Sequence, residues 1–177
     1  MTTGTLYLIP VSLGPASTGF TTPAEVGARA RSLDYFVVEN AKTARAELKR
    51  FEHPRSLREL DIRELPEKPG PADLDALLAP LLAGLDAGLM SEAGCPAVAD
   101  PGALLVRRAH EKGVRVVPMV GPSSLLLALM ASGLNGQSFA FHGYLPVDEE
   151  AREKRADSAS RSEEHTSQLQ SLSSISY

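Results

Sequence analysis

The chain holds one cysteine, Cys95, among 177 residues. A lone cysteine forms no internal disulfide, which fits a reducing compartment. The four histidines, His53, His110, His142 and His165, are scattered and share no metal-ligand spacing with it, so no metal site is expected. An excess of basic charge is missing too. The formal net charge is −4, which removes any global electrostatic argument for nucleic-acid binding but leaves room for a local basic face. Apolar runs such as Leu125–Met130 fall far short of the ~20 residues that span a bilayer. The first residues lack the basic flank and apolar core of a signal peptide. A cytoplasmic location with no membrane partner is expected. Neither Gly-x-Gly-x-x-Gly nor Gly-Lys-Ser/Thr occurs, which weighs against dinucleotide and nucleoside-triphosphate binding.

What the chain does have is 43% apolar residues, in strand and helix patterns that alternate. The predicted order begins with a strand at Thr5–Pro10, a helix at Pro23–Leu33 and a strand at Tyr35–Glu39. A helix at Thr43–Phe51 follows, with Thr43 as a possible N-cap, and then a short strand at Asp61–Leu65. Asp73–Leu85 has Leu74, Leu77, Leu78, Leu81 and Leu82 on one stripe and Gly84 near its end, the pattern of a helix on a core. Strands at Gly88–Ser91, Val114–Val120 and Phe139–Gly143 are separated by helices at Ala103–Lys112 and Ser123–Ala131. This alternation predicts an α/β fold: a mostly parallel sheet with helices on both faces.

Composition divides the chain. Residues 1–134 read as an N-terminal α/β domain and 135–157 as the start of a second one, with Leu145 and Pro146 at its opening. Residues 158–177 are serine-rich and aperiodic, as a polar tail would be. Within them Arg161-Ser162-Glu163-Glu164-His165-Thr166-Ser167, followed by Leu169-Gln170-Ser171, looks like a translated sequencing adapter. The tail is therefore set aside from the fold, and the second domain is expected to be truncated.

In a parallel sheet the loops after the strands gather at one edge, where open α/β sheets bind ligands. Four motifs fall there. In Pro10–Pro15, Gly14 lets backbone approach a ligand closely, though taken alone such a turn is more often only a turn. Glu39–Arg45 carries Glu39, Asn40, Lys42 and Arg45 toward the crevice; alternatively Glu39 only pairs with Lys42 or Arg45. In Ser91–Gly102, the acceptors Ser91, Glu92 and Asp100 sit among glycines and prolines. Asp100 is also placed to N-cap the next helix, and Cys95 reads as a loop residue rather than a nucleophile. Gly121, Pro122 and Ser123 open an apolar helix whose free N–H groups suit a carboxylate. Nearby, Arg45, Lys49, Arg50, Arg55 and Arg58 form a basic cluster, read either as a nucleic-acid contact or as a solvated helix face.

Taken together these motifs carry a resemblance. Ser91-Glu92-Ala93-Gly94-Cys95-Pro96 followed by Asp100-Pro101-Gly102 resembles the signature loop of the tetrapyrrole methylase superfamily, roughly Ser-Asp-Ala-Gly-Thr-Pro and then Asp-Pro-Gly. Gly4–Leu8, Glu39–Arg45, Val116-Val117-Pro118, Gly121-Pro122-Ser123, Ala131–Leu134 and Phe141–Pro146 occur in family order. The match is similar to the branch containing the small-subunit ribosomal RNA ribose 2′-O-methyltransferases. Departures include Val11-Ser12 for Thr-Pro, Pro15 for Asn, Asn40 for Asp, Lys42 for Arg, Glu92 for Asp and Cys95 for Thr.

The resemblance implies two α/β domains holding S-adenosyl-L-methionine between them, and homodimers when intact. It implies cofactor contacts from Gly14, Ser91, Glu92, Ala93, Gly94, Gly121, Pro122 and Ser123. Substrate contacts would come from Asn40, Lys42 and Arg45, and Glu39 and Glu92 are the candidate general bases. A tetrapyrrole macrocycle is the alternative acceptor to ribosomal RNA, and a non-catalytic cofactor-binding module or inactive fragment is the alternative class. With its second domain cut short, the chain is expected to bind cofactor weakly or not at all.

Overall fold

A computed structural model describes residues 2–14, 21–144 and 146–155. The predictions for Pro15, Leu145 and the 158–177 tail lie outside them. The chain divides into two units, Met1–Gly133 and a second beginning at Leu134.

The first unit is an α/β fold. Five strands, β1 (Thr5–Leu8), β2 (Tyr35–Val38), β3 (Asp61–Glu64), β4 (Ala87–Met90) and β5 (Arg115–Pro118), form a sheet in the order β3-β2-β4-β1-β5. Every pairing is parallel, with Leu6 and Tyr35 both opposite Ala87. The helices are α1 (Ala24–Arg31), α2 (Ala41–Arg50), α3 (Pro71–Leu82), α4 (Gly102–Glu111) and α5 (Ser124–Ser132).

Side-chain alternation along the strands splits the core in two. Leu6, Leu8, Tyr35, Val37, Ala87 and Leu89 pack with Leu74, Leu77, Leu78 and Leu81 of α3 and with Leu105 and Ala109 of α4. Phe36, Val38 and Met90 point the other way, onto Val26 and Ala30 of α1 and onto Ala44 and Leu48 of α2. Helices therefore cover both faces, and the central strands β2 and β4 are buried throughout, as strands covered twice must be. Edge strand β3 (Asp-Ile-Arg-Glu) is largely exposed and charged, which discourages pairing with another chain.

Three local expectations are corrected. Thr43 does not cap α2. Asn40 does, its side chain accepting from the amides of Lys42 (2.9 Å) and Thr43 (3.1 Å), because an Asn outside the helix reaches both free N–H groups. Asp100 is not the N-cap of α4, since Pro101 takes that position. Phe139–Gly143 is not a strand. These residues are irregular and exposed, and a strand without a neighbour leaves its backbone groups unpaired. The second unit otherwise contains a helical stretch at 149–155.

Topology fixes where a ligand belongs. From β1 the chain moves toward β2 and β3; from β4 it moves the opposite way, past β1 to β5. Adjacent strands β1 and β4 thus send their chains in opposite directions, which opens a crevice at their carboxyl ends.

Candidate functional site at the carboxyl edge of the sheet

The loop after β1 and the loop after β4 meet at that crevice. Val11 and Gly94 exchange backbone hydrogen bonds in both directions, at 2.8 and 2.9 Å. Gly94 has φ +72°, and a Cβ there would press on Leu13 at 3.3 Å, so the approach needs glycine. The loop after β5 joins from the far side. A Cβ on Gly121 would overlap the Pro10 ring, and the Cys95 thiol lies 3.3 Å from the Pro122 carbonyl. Burial pushes that thiol up from its ordinary pKa, which keeps it protonated and a poor nucleophile.

The loop after β4 is held by its own polar groups. Ala97 (φ +66°) and Ala99 (φ +60°) adopt left-handed backbone, a conformation that costs a residue with a Cβ about 1–3 kcal/mol. Asp100 Oδ1 accepts from the amides of Ala97 (3.1 Å) and Gly102 (2.7 Å) and so holds the bend. Burial raises the Asp100 carboxyl pKa, and the nearby Glu39 carboxylate adds to the rise. Ser91 is buried and donates to the Ala93 carbonyl at 3.1 Å.

The loop after β2 brings the carboxylate. Glu39 Oε2 accepts from the Glu92 amide at 2.9 Å, so Glu39 is committed to the β4 loop and not to Lys42 or Arg45. The Glu92 side chain is exposed. Gly14 lies exposed at the outer end of the first loop with open space where a side chain would be. Gly121, Pro122 and Ser123 line a cavity of about 710 Å³ with Thr21–Pro23, Leu126 and Leu127. Lys42 and Arg45 are exposed on α2.

One residue, Glu47, went unread in the sequence. Glu47, 3% exposed, accepts from the Ser12 amide (3.2 Å), the Ser12 hydroxyl (3.1 Å) and Arg50 (3.2 Å). Arg50 also donates to Ser12 Oγ and to the Gly14 carbonyl. The spacing of Glu47 and Arg50, one helical turn apart, was the available signal. The basic cluster is accordingly not one face: Arg50 turns inward, and Arg55 pairs with Asp34 at 2.7 Å.

No family model matches the sequence, but individual proteins do. A protein of Escherichia coli O157:H7 is 32% identical over 153 residues, 84% of this chain and 49% of its own length. A protein of Vibrio cholerae is 46% identical over 79 residues, and one of Mesorhizobium japonicum 52% over 71. All three bear the same name. The chain is similar to ribosomal RNA small subunit methyltransferase I. That bears out the resemblance to this branch of methyltransferases. The chain spans about half the length of the E. coli methyltransferase I, and the matched segments cover 27% and 24% of the other two. Among the described residues no group of His, Cys, Asp and Glu is placed to hold a metal ion, and no helix is long and apolar enough to cross a membrane.

Proposed function

We propose that the edge built from Pro10–Gly14, Glu39, Ser91–Pro101 and Gly121–Ser123 is one wall of the cofactor cleft of an S-adenosylmethionine-dependent methyltransferase. The acceptor we assign is a ribose 2′-hydroxyl of small-subunit ribosomal RNA. The observation that carries the reading is the reciprocal Val11–Gly94 bridge with Glu39 tied to Glu92, at the one place where the sheet changes direction. The names of the relatives supply the substrate class.

The residues fit such a cofactor. Close loop approach at Gly94 and Gly121 leaves backbone, not side chains, to face a bulky ligand, and the Glu39 and Asp100 carboxylates suit amino and hydroxyl groups. Bound there, S-adenosylmethionine would supply an electrophilic methyl group whose leaving thioether is neutral, so no acid is required to expel it. The protein's share is alignment, which supplies about 7–11 kcal/mol when geometry is right. Gly14, Ser91, Glu92, Ala93, Gly94, Gly121, Pro122 and Ser123 form the cofactor wall. Glu39 keeps Oε1 for the acceptor hydroxyl proton while Oε2 holds the Glu92 amide, which makes it a better-fixed base than the exposed Glu92 side chain. Lys42 and Arg45 offer phosphate contacts, which position RNA without reading sequence. Asn40, whose Oδ1 caps α2, offers its amide N–H.

In this reading residues 1–134 are the N-terminal methylase domain and 135–157 the start of a second one. The intact protein is a cytoplasmic homodimer. The test is an amide chemical-shift titration of the 177-residue chain with millimolar S-adenosylhomocysteine, which also detects weak binding. Shifts confined to Gly14, Ala93, Gly94, Gly121 and their neighbours are expected. No shifts, or shifts at the opposite end of the strands, would overturn the assignment.

A further inference from the structure

The wall just described needs its first loop held still, and among the described residues of that loop only Val11 is bridged to Gly94. Ser12, Leu13 and Gly14 continue past the bridge, and what holds them is helix α2. Glu47 and Arg50 sit one turn apart on its inner side. Between them they engage the Ser12 amide, the Ser12 hydroxyl and the Gly14 carbonyl. The Glu47 carboxylate is almost wholly buried.

Burying an ion pair is a poor way to gain stability, because desolvation offsets the attraction and apolar replacements are often neutral. It is a good way to fix direction. A carboxylate with three donors around it and an arginine nitrogen that donates to both Ser12 and Gly14 leave little freedom to the loop they hold.

We infer that Glu47 is a positioning residue: with Arg50 it clamps Ser12–Gly14 in the conformation that the β1 loop presents to the cofactor. The inference rests on the cofactor reading above. On its outer side the same helix carries the exposed Lys42, Arg45 and Lys49, so one rigid element would set the cofactor loop and face the acceptor.

The test uses Glu47→Gln and Ser12→Ala in the 177-residue chain, with S-adenosylhomocysteine as the probe. Glutamine is nearly isosteric but turns an N–H₂ group toward donors that need an acceptor. Serine-to-alanine removes the hydroxyl and keeps the hydrogen bond that the backbone N–H of residue 12 donates to Glu47. Two quantities are read well below the unfolding midpoint: the probe's dissociation constant, and hydrogen exchange at the amides of Ser12, Gly14 and Gly94. Glu47→Gln is expected to weaken the probe ~tenfold, a change of about 1.4 kcal/mol, with Ser12→Ala affected less. Faster exchange should be confined to the loop, while core amides such as those of Leu6 and Val37 keep their protection.

Unchanged affinity and unchanged loop exchange in Glu47→Gln would overturn the clamp. So would faster exchange spread evenly over the whole sheet, the mark of a purely structural role. If the unsubstituted chain does not bind the probe, the cofactor reading fails on its own, and the exchange pattern still decides the clamp.

Discussion

Helices α3 and α5 are both rich in leucine, yet they meet opposite fates. In α3, Leu74, Leu77, Leu78 and Leu81 are all buried against the sheet. In α5 no residue is buried: Leu126 and Leu127 are each 54% exposed and Met130 78%. The difference is spacing. The α3 leucines recur at i, i+3, i+4 and i+7, a single stripe with Asp73 and Asp75 off it. Those of α5, at 125, 126, 127 and 129, run around the helix, so no orientation hides them all. Periodicity marks a helix that has a core face; apolar content alone does not. An exposed apolar face of this kind marks a surface for association or aggregation.

The contrast can be broken by substitution. Leu78→Ala, in the centre of the α3 stripe, should cost about 2–5 kcal/mol, the range for a buried leucine left as a cavity. Urea unfolding measures it, and a loss near zero would mean that α3 is no more a core helix than α5. Gly88→Ala extends the same test into the sheet beneath. The new Cβ would stand 2.7 Å from the Phe36 ring, so overpacking should cost about 1–3 kcal/mol.

A smaller effect follows from how α3 is tied to α4. Arg108 grips Asp75 with two hydrogen bonds of 2.8 Å, and Lys112 adds a contact at 3.4 Å. The Arg108 guanidinium holds the Asp75 carboxyl down at about 2, below its unfolded value of about 3.9. A carboxyl lowered by folding stabilises the native state above the unfolded pKa and loses that contribution as pH falls through the folded one. Asp75→Asn should therefore flatten the acid side of the stability curve between about pH 4 and pH 2, and leave its slope near neutrality unchanged. A curve that keeps its full acid slope would remove Asp75 from the account. Smallest of all, Leu126→Gln with Met130→Gln on α5 should change stability by no more than about 0.5 kcal/mol while lowering light scattering. A large loss of stability there would show that α5 has a core role after all.

The same logic explains what was legible in the sequence. Tyr35–Glu39 was legible as a strand because one covered on both faces is apolar almost throughout, and Asp73–Leu85 as a helix by its stripe of leucines; Gly88–Ser91 was read one residue late, against the observed Ala87–Met90. The edge strand Asp61–Glu64 was less legible because only one side has a neighbour, so its pattern is relaxed. Phe139–Gly143 misled because its two phenylalanines favour a strand by composition, whereas Phe141 meets only Tyr144, edge to face with ring centres 5.7 Å apart, and among the described residues no neighbouring strand pairs with its backbone.

At the rim, the glycines of the β1, β4 and β5 loops were visible as turns. That these loops gather at one edge was legible too; which of them touch was not, since it depends on strand order, and the sheet places β1 beside β4 across some eighty positions of sequence. Glu47 was hidden for a related reason. On α2 it sits among Lys42, Arg45, Lys49 and Arg50, and a charge in such company reads as solvated until its partner, Ser12, arrives from another part of the chain.

The Val11–Gly94 link has a mechanical consequence. Strands β1 and β4 run side by side in the same direction, but their extensions turn and lace together head to tail. Two spans that end in free tips would sway independently; knotted together they move as one jaw. A distortion introduced at either end of that seam is then delivered to the other, so the shape of the crevice belongs to neither stretch of sequence alone.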